Sequence, residues 1–173
     1  MILLFAGSNS PHSINQTLVE WIARLLEDRS PTVIRLTDYA LPIYSPTEEK
    51  KGFPSGLQLL FDQLSRADTI VIAVAEHNGS LPAFFKNTLD WLSRLQKEYR
   101  VFQGKKLHLL SASPGQGGAG AIRHSSEILQ RLGAPIVQSL TVPQFYQRIS
   151  KRDDQSFPDA STEQLLNNFI QKI

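Results

Sequence analysis

The feature that most constrains this chain is an alternation between two hydrophobic periods along most of its length. Short continuous apolar runs at 1–6, 33–36, 69–74, 107–110 and 136–137 have the pattern of strands buried on both faces. Between them, apolar residues recur at helical spacing. Ile14, Leu18, Trp21, Ile22 and Leu25 form one such set, Leu57, Leu60, Phe61 and Leu64 a second, Phe85, Leu89 and Leu92 a third, and Ile122, Leu129 and Leu132 a fourth. Leu165, Leu166, Phe169 and Ile170 mark a closing helix, and the polar stretch 147–160 before it reads as a linker. Strand followed by helix, repeated, predicts parallel strands joined by right-handed crossovers that cover both faces of one sheet. The expected class is therefore a doubly wound, three-layer α/β domain. With 173 residues, one domain over 1–173 is expected to suffice.

Composition narrows the chemistry. The chain has no cysteine, which removes thiol nucleophiles, thiolate metal sites and disulfides, and suits the cytoplasm as the expected compartment. The first apolar run is too short to span a membrane and lacks the basic flank and cleavage site of a signal peptide. Net charge is only +2, and the basic residues are scattered as pairs near acids, so neither nucleic acid nor a membrane is expected as a partner. Four histidines, His12, His77, His108 and His124, lack metal-ligand spacing, and no serine-hydrolase elbow or zinc-protease motif occurs. No metal site and no catalytic acid, base or nucleophile is predicted.

In open parallel sheets, ligands bind beyond the carboxyl ends of the strands, and three loops fall there. The first, GSNSPHSIN, places Ser8, Ser10, Ser13, Ile14 and Asn15 at the start of a helix, whose unpaired N–H groups and dipole favour an anion. It lacks the lysine of a triphosphate loop and the three glycines of a dinucleotide fingerprint, so a single phosphate monoester suits it better. A turn that merely caps its own helix would look the same. The second loop contains Glu76, His77, Asn78, Gly79 and Ser80; Asn78-Gly79 signals a turn, Ser80 is a candidate helix cap, and the exposed backbone could border a flat heterocycle. The third, with Ser113, Pro114, Gly115, Gln116, Gly117 and Gly118, is glycine-rich, as expected where backbone must approach a ligand closely.

Taken together, GSNSPHSIN, AEHNGSLPAFFKNTLDWLSR and SPGQGGAGA with LQRLGAPIV resemble the NADPH-dependent FMN reductase family, over nearly the whole chain up to about Gln147. The resemblance implies a flavodoxin-like α/β/α sandwich with a five-stranded parallel sheet in the order 2-1-3-4-5. It implies FMN as cofactor and NADPH or NADH as co-substrate, with electrons passed in ping-pong fashion to a small-molecule acceptor such as a quinone, free flavin, azo dye or metal oxyanion. On this resemblance Ser8, Ser13, Ile14 and Asn15 hold the FMN phosphate, residues 76–80 border the isoalloxazine, and residues 113–118 close over its other end. Lys86, Asn87, Asp90 and Trp91 match positions of structural character near a dimer contact.

Three positions depart from the family pattern, and one is Ala75, which stands where a proline is usual. Ser10 stands where many members carry arginine, which removes one charge-assisted phosphate bond. His77 stands where a tyrosine is usual, and is either a titratable group beside the redox centre or a polar surface side chain. A flavodoxin-like electron carrier, and a flavodoxin-fold sensor that has lost catalysis, are the alternatives to an enzyme. The third helix carries a second apolar stripe, Phe84, Trp91 and Leu95, which calls for a further partner. That partner is either a second copy in a homodimer or homotetramer, or a neighbouring loop of the same chain.

Overall fold

The computed structural model describes residues 1–95, 100–152 and 155–173. Five strands, β1 (Ile2–Gly7), β2 (Thr32–Val33), β3 (Thr69–Val74), β4 (Lys106–Ala112) and β5 (Ile136–Val142), form a parallel sheet in the order β2-β1-β3-β4-β5. The expected order is the observed one. In register, Leu3 of β1 lies beside Ile70 of β3, and Ile70 beside Leu107 of β4.

Strand alternation sorts the apolar runs into two cores. Leu3, Phe5, Ile70, Ile72, Leu107 and Leu109 face one way, against α3 (Ser55–Arg66), α4 (Ala83–Leu95) and α5 (Ala119–Arg131). Ile2, Leu4, Ala6, Val71, Ala73 and Leu110 face the other, against α1 (Ile14–Leu25) and α6 (Ala160–Ile170). The three central strands, β1, β3 and β4, bury both faces, which is why their sequences are nearly continuously apolar.

The edges depart from expectation. β2 pairs over only two residues, after which the chain bends through Leu36–Asp38 to drive Leu36 into the core. β5 runs seven residues rather than two, because an edge strand half exposed to water admits Gln138, Ser139 and Thr141 and so breaks the apolar run. The supposed linker holds an antiparallel hairpin, β6 (Ile149–Arg152) with β7 (Gln155–Pro158). A short helix, α2 (Pro46–Lys50), capped by Ser45, also escaped the periodicity, being too brief to show one.

The second stripe of α4 finds its partner within the chain. Trp91 is fully buried; its indole N–H donates to the Pro42 carbonyl at 2.8 Å, and Tyr44 and Phe53 meet it edge-on. Asn87 holds the same segment from both ends of its amide, accepting from Tyr44 N–H at 2.8 Å and donating to Pro42 O at 3.0 Å. Phe84 and Leu95 pack at the edge of the same core. Of the two partners open to this stripe, the segment between β2 and α3 is the one that covers Trp91. Asn87 and Trp91 thus fasten that segment, while their neighbours Lys86 and Asp90 bridge each other along α4 at 2.6 Å.

Candidate flavin site

The three predicted loops meet at the carboxyl edge of β1, β3 and β4, around a cleft of about 250 Å³. Ser8, Ser10, Ser13, Ile14 and Asn15 line it from the first loop, Glu76 and His77 from the second, and Ser113 and Pro114 from the third. β1 ends at Gly7, where a side chain would sit 2.8 Å from the Phe85 ring, so the glycine lets α4 pack against the strand just below the loop.

The first loop is built as a series of short turns. Ser8 Oγ accepts from Ser10 N–H and Ser10 Oγ from His12 N–H, each at 3.3 Å, and Ser13 caps α1 by accepting from Gln16 N–H. The first two donors of the helix, Ile14 N–H and Asn15 N–H, make no hydrogen bond to protein among the described residues. Open helical amides ringed by neutral hydroxyls form a donor set that fits a phosphate monoester, with Ser10 contributing a hydroxyl in place of a charge.

Asn15 corrects one expectation. Its side chain is buried and bridges to β4, donating to Ala112 O at 3.1 Å and accepting from Ala112 N–H at 2.8 Å. What remains for an anion is its backbone N–H.

The second loop is a tight turn. His77 and Ser80 exchange both backbone hydrogen bonds, with Asn78 and Gly79 at positive φ between them. Ser80 is not the cap of α4; its hydroxyl instead pairs with His124 Nδ1 at 2.8 Å, across to α5. Asn78, Gly79 and Ser80 lie outside the cleft wall, and His77 is exposed at its rim.

Gly117 and Gly120 accommodate protein rather than an open surface. A Cβ on Gly120 would lie 2.4 Å from Gly79 O, and one on Gly117 2.7 Å from Glu76 Oε1. Glu76 Oε2 accepts from Gly118 N–H at 3.0 Å and Ala121 N–H at 2.9 Å, so its carboxylate fills the N-terminus of α5, whose cap residue, Gly118, has no side chain to do so. Gly115 and Gln116 are exposed beyond the cleft, while Gly115 O accepts from Gln144 N–H at 2.7 Å and ties the loop to the end of β5.

Sequence reasoning missed His12, Ala75, Ala112 and Tyr146 in the wall. Tyr146, 64% exposed, arrives from the segment after β5, which carries no motif. His12 was visible as the one titratable side chain inside the first loop.

A cleft beside a helix terminus with open amides, at the carboxyl edge of a parallel sheet ordered 2-1-3-4-5, defines a flavodoxin-like α/β protein. Residues 1–147 match the family described as NADPH-dependent FMN reductase, and the chain belongs to that family. The activity class that goes with this membership is NAD(P)H-dependent oxidoreduction with FMN. Among relatives, a quinone reductase of Escherichia coli K12 is 33% identical over 77% of this chain and 75% of its own length. A quinone reductase of Pseudomonas putida is 27% identical over 99% and 91%. The fold matches that of FerB, a flavoenzyme NAD(P)H:acceptor oxidoreductase of Paracoccus denitrificans, with a TM-score of 0.79 and 24% identity over 98% of this chain and 92% of that one.

Proposed function

We propose that the cleft holds FMN with its phosphate on the first loop and its ring system toward the second and third, and that residues 1–173 act as one such unit. The observation that carries this reading is the difference between the two helix termini at the cleft: α1 offers open amides, whereas α5 is already occupied by Glu76. Ser8, Ser10 and Ser13 hydroxyls with the Ile14 and Asn15 N–H groups would bind the phosphate. Glu76 and His77 on one side, with Ser113 and Pro114 on the other, would bound the ring. When bound, the flavin supplies two-electron chemistry, taking hydride from NAD(P)H and passing it to an acceptor. The protein's own work is then to bind, orient and expose one face of the cleft to each substrate in turn, and no side chain need exchange a proton for that.

The acceptor class we favour is a quinone, the substrate named in the related reductases of E. coli and P. putida. We place the protein in the cytoplasm, since it has no cysteine and no described helix long and apolar enough to cross a membrane. Assembly into a homodimer or homotetramer is assigned to the outer surface of the segment covering α4, where Ile43 is 77% exposed, rather than to Trp91.

FMN titration, read as quenching of flavin fluorescence, tests the reading, with riboflavin as the control lacking phosphate. Tight FMN and weak riboflavin binding are expected; equal affinities would remove the phosphate cradle. Consumption of NADPH by the FMN complex with a quinone then separates an enzyme from an electron carrier.

A further inference from the structure

We infer that Glu76 is a positioning residue: a latch that joins the second and third loops and holds the ring-binding side of the cleft in shape. This rests on the FMN reading above, but its structural half does not.

The side chain reaches from just beyond β3 to the start of α5, 42 and 45 residues later, and one carboxylate oxygen takes two backbone N–H groups there. Charge-assisted bonds of this kind are stronger than neutral ones, and the helix dipole adds to them. Gly117 and Gly120 are small where Glu76 and the Gly79 carbonyl lie against them, so the fit is built from both sides. Ser80 to His124 at 2.8 Å is a second, exposed tie between the same loop and helix. Among the described residues nothing comparable ties the first loop to these two; Asn15 is anchored to β4 itself. The latch therefore governs two loops as a unit and leaves the phosphate loop independent.

Glu76 also keeps the two anion sites distinct. With its carboxylate in place, a phosphate meets repulsion at α5 and attraction at α1. A single orientation of a phosphate-bearing ligand follows.

Three variants test this, each first checked for folding by circular dichroism. In the apo protein, Glu76→Ala should speed amide exchange at Gly118 and Ala121 at least tenfold while leaving Ile22 in α1 unchanged. It should weaken FMN about tenfold, and acetate, which can replace the lost carboxylate, should restore most of that loss. Glu76→Gln keeps an acceptor without the charge and should lie within about threefold of wild type. Gly120→Ala, whose Cβ would crowd both the Gly79 carbonyl and Glu76 Oε2, should press the same loops apart with the carboxylate retained and weaken FMN as well. Wild-type exchange at Gly118 and Ala121 in Glu76→Ala would overturn the latch. Faster exchange with unchanged FMN affinity would overturn its positioning role, and so would a loss that acetate does not mend. If Glu76→Ala does not fold, Gly120→Ala decides: wild-type FMN affinity in that variant refutes the proposal. Failure of the wild type to bind FMN would strike the FMN reading instead, and the exchange result would still stand on its own.

Discussion

Two helices, α1 and α5, begin at the same edge of the same sheet, and their termini are finished in opposite ways. At α1 the cap is local: Ser13 serves the amide three residues on, and two further donors remain available. At α5 the cap comes from another loop, as the Glu76 carboxylate. The sequence signal follows the same division. Ser13 can be read as a cap from its neighbours alone, whereas Gly118 lacks any side chain, and nothing within ten residues announces its partner. An anion site is thus created as much by closing one terminus as by leaving the other open.

The largest expected effect tests the anchoring of the α1 side. Asn15→Ala removes both bonds to Ala112 and leaves a buried N–H and C=O unpaired. A loss of about 3 kcal/mol in urea unfolding is expected; a loss below about 1 kcal/mol would mean that water replaces the amide. On the α5 side, Gly120→Ala forces a Cβ to within 2.4 Å of Gly79 O. It should cost about 2 kcal/mol, whereas Gly115→Ala, in the same loop with nothing within 4 Å, should be close to neutral. Equal losses at the two glycines would show that flexibility, rather than close approach, selects glycine in that loop. Ser13→Ala should cost about 1 kcal/mol in stability and weaken FMN binding. Calorimetry of both would separate a cap from a ligand contact, because a cap alone lowers the melting temperature without altering affinity.

The smallest departure at neutral pH lies away from both termini. His108 is fully buried beside Phe169, and burial first, with Lys106 and Arg29 adding to it, pushes its imidazole from 6.5 down to about 4. Its folded state therefore resists a proton that the unfolded chain accepts. Between about 6.5 and about 4 the unfolded state binds more protons, so stability falls as pH falls and is unaffected above that window. Melting temperatures of His108→Gln across this range should fall less steeply than those of the wild type. Parallel curves would assign the acid sensitivity to other groups.

What was legible in the chain was what repeats at short range. Alternation of Leu3 with Leu4 and of Ile70 with Val71 divides two cores, and strand-helix order fixes the crossovers. The first loop was legible as well, since its hydroxyls and its helix are contiguous. Contacts across long stretches were not. Trp91 looked unpartnered because its cover, Pro42 to Phe53, lies some forty residues earlier and has no periodicity of its own. The bonds of Glu76 to α5 were hidden because the amides that it serves belong to a later loop. The anchoring of the Asn15 side chain was hidden for a similar reason, its partner being 97 residues away.

The burial of Trp91 has a spectroscopic consequence. The chain's other tryptophan, Trp21, is buried in the opposite core and stacks on Phe145 at 5.1 Å. Each side of the sheet thus carries its own indole fluorophore, and with Trp21→Phe and Trp91→Phe the two layers could be watched separately. If the covering segment peels from α4 before the sheet melts, the emission of Trp91 will shift to the red while that of Trp21 stays where it was.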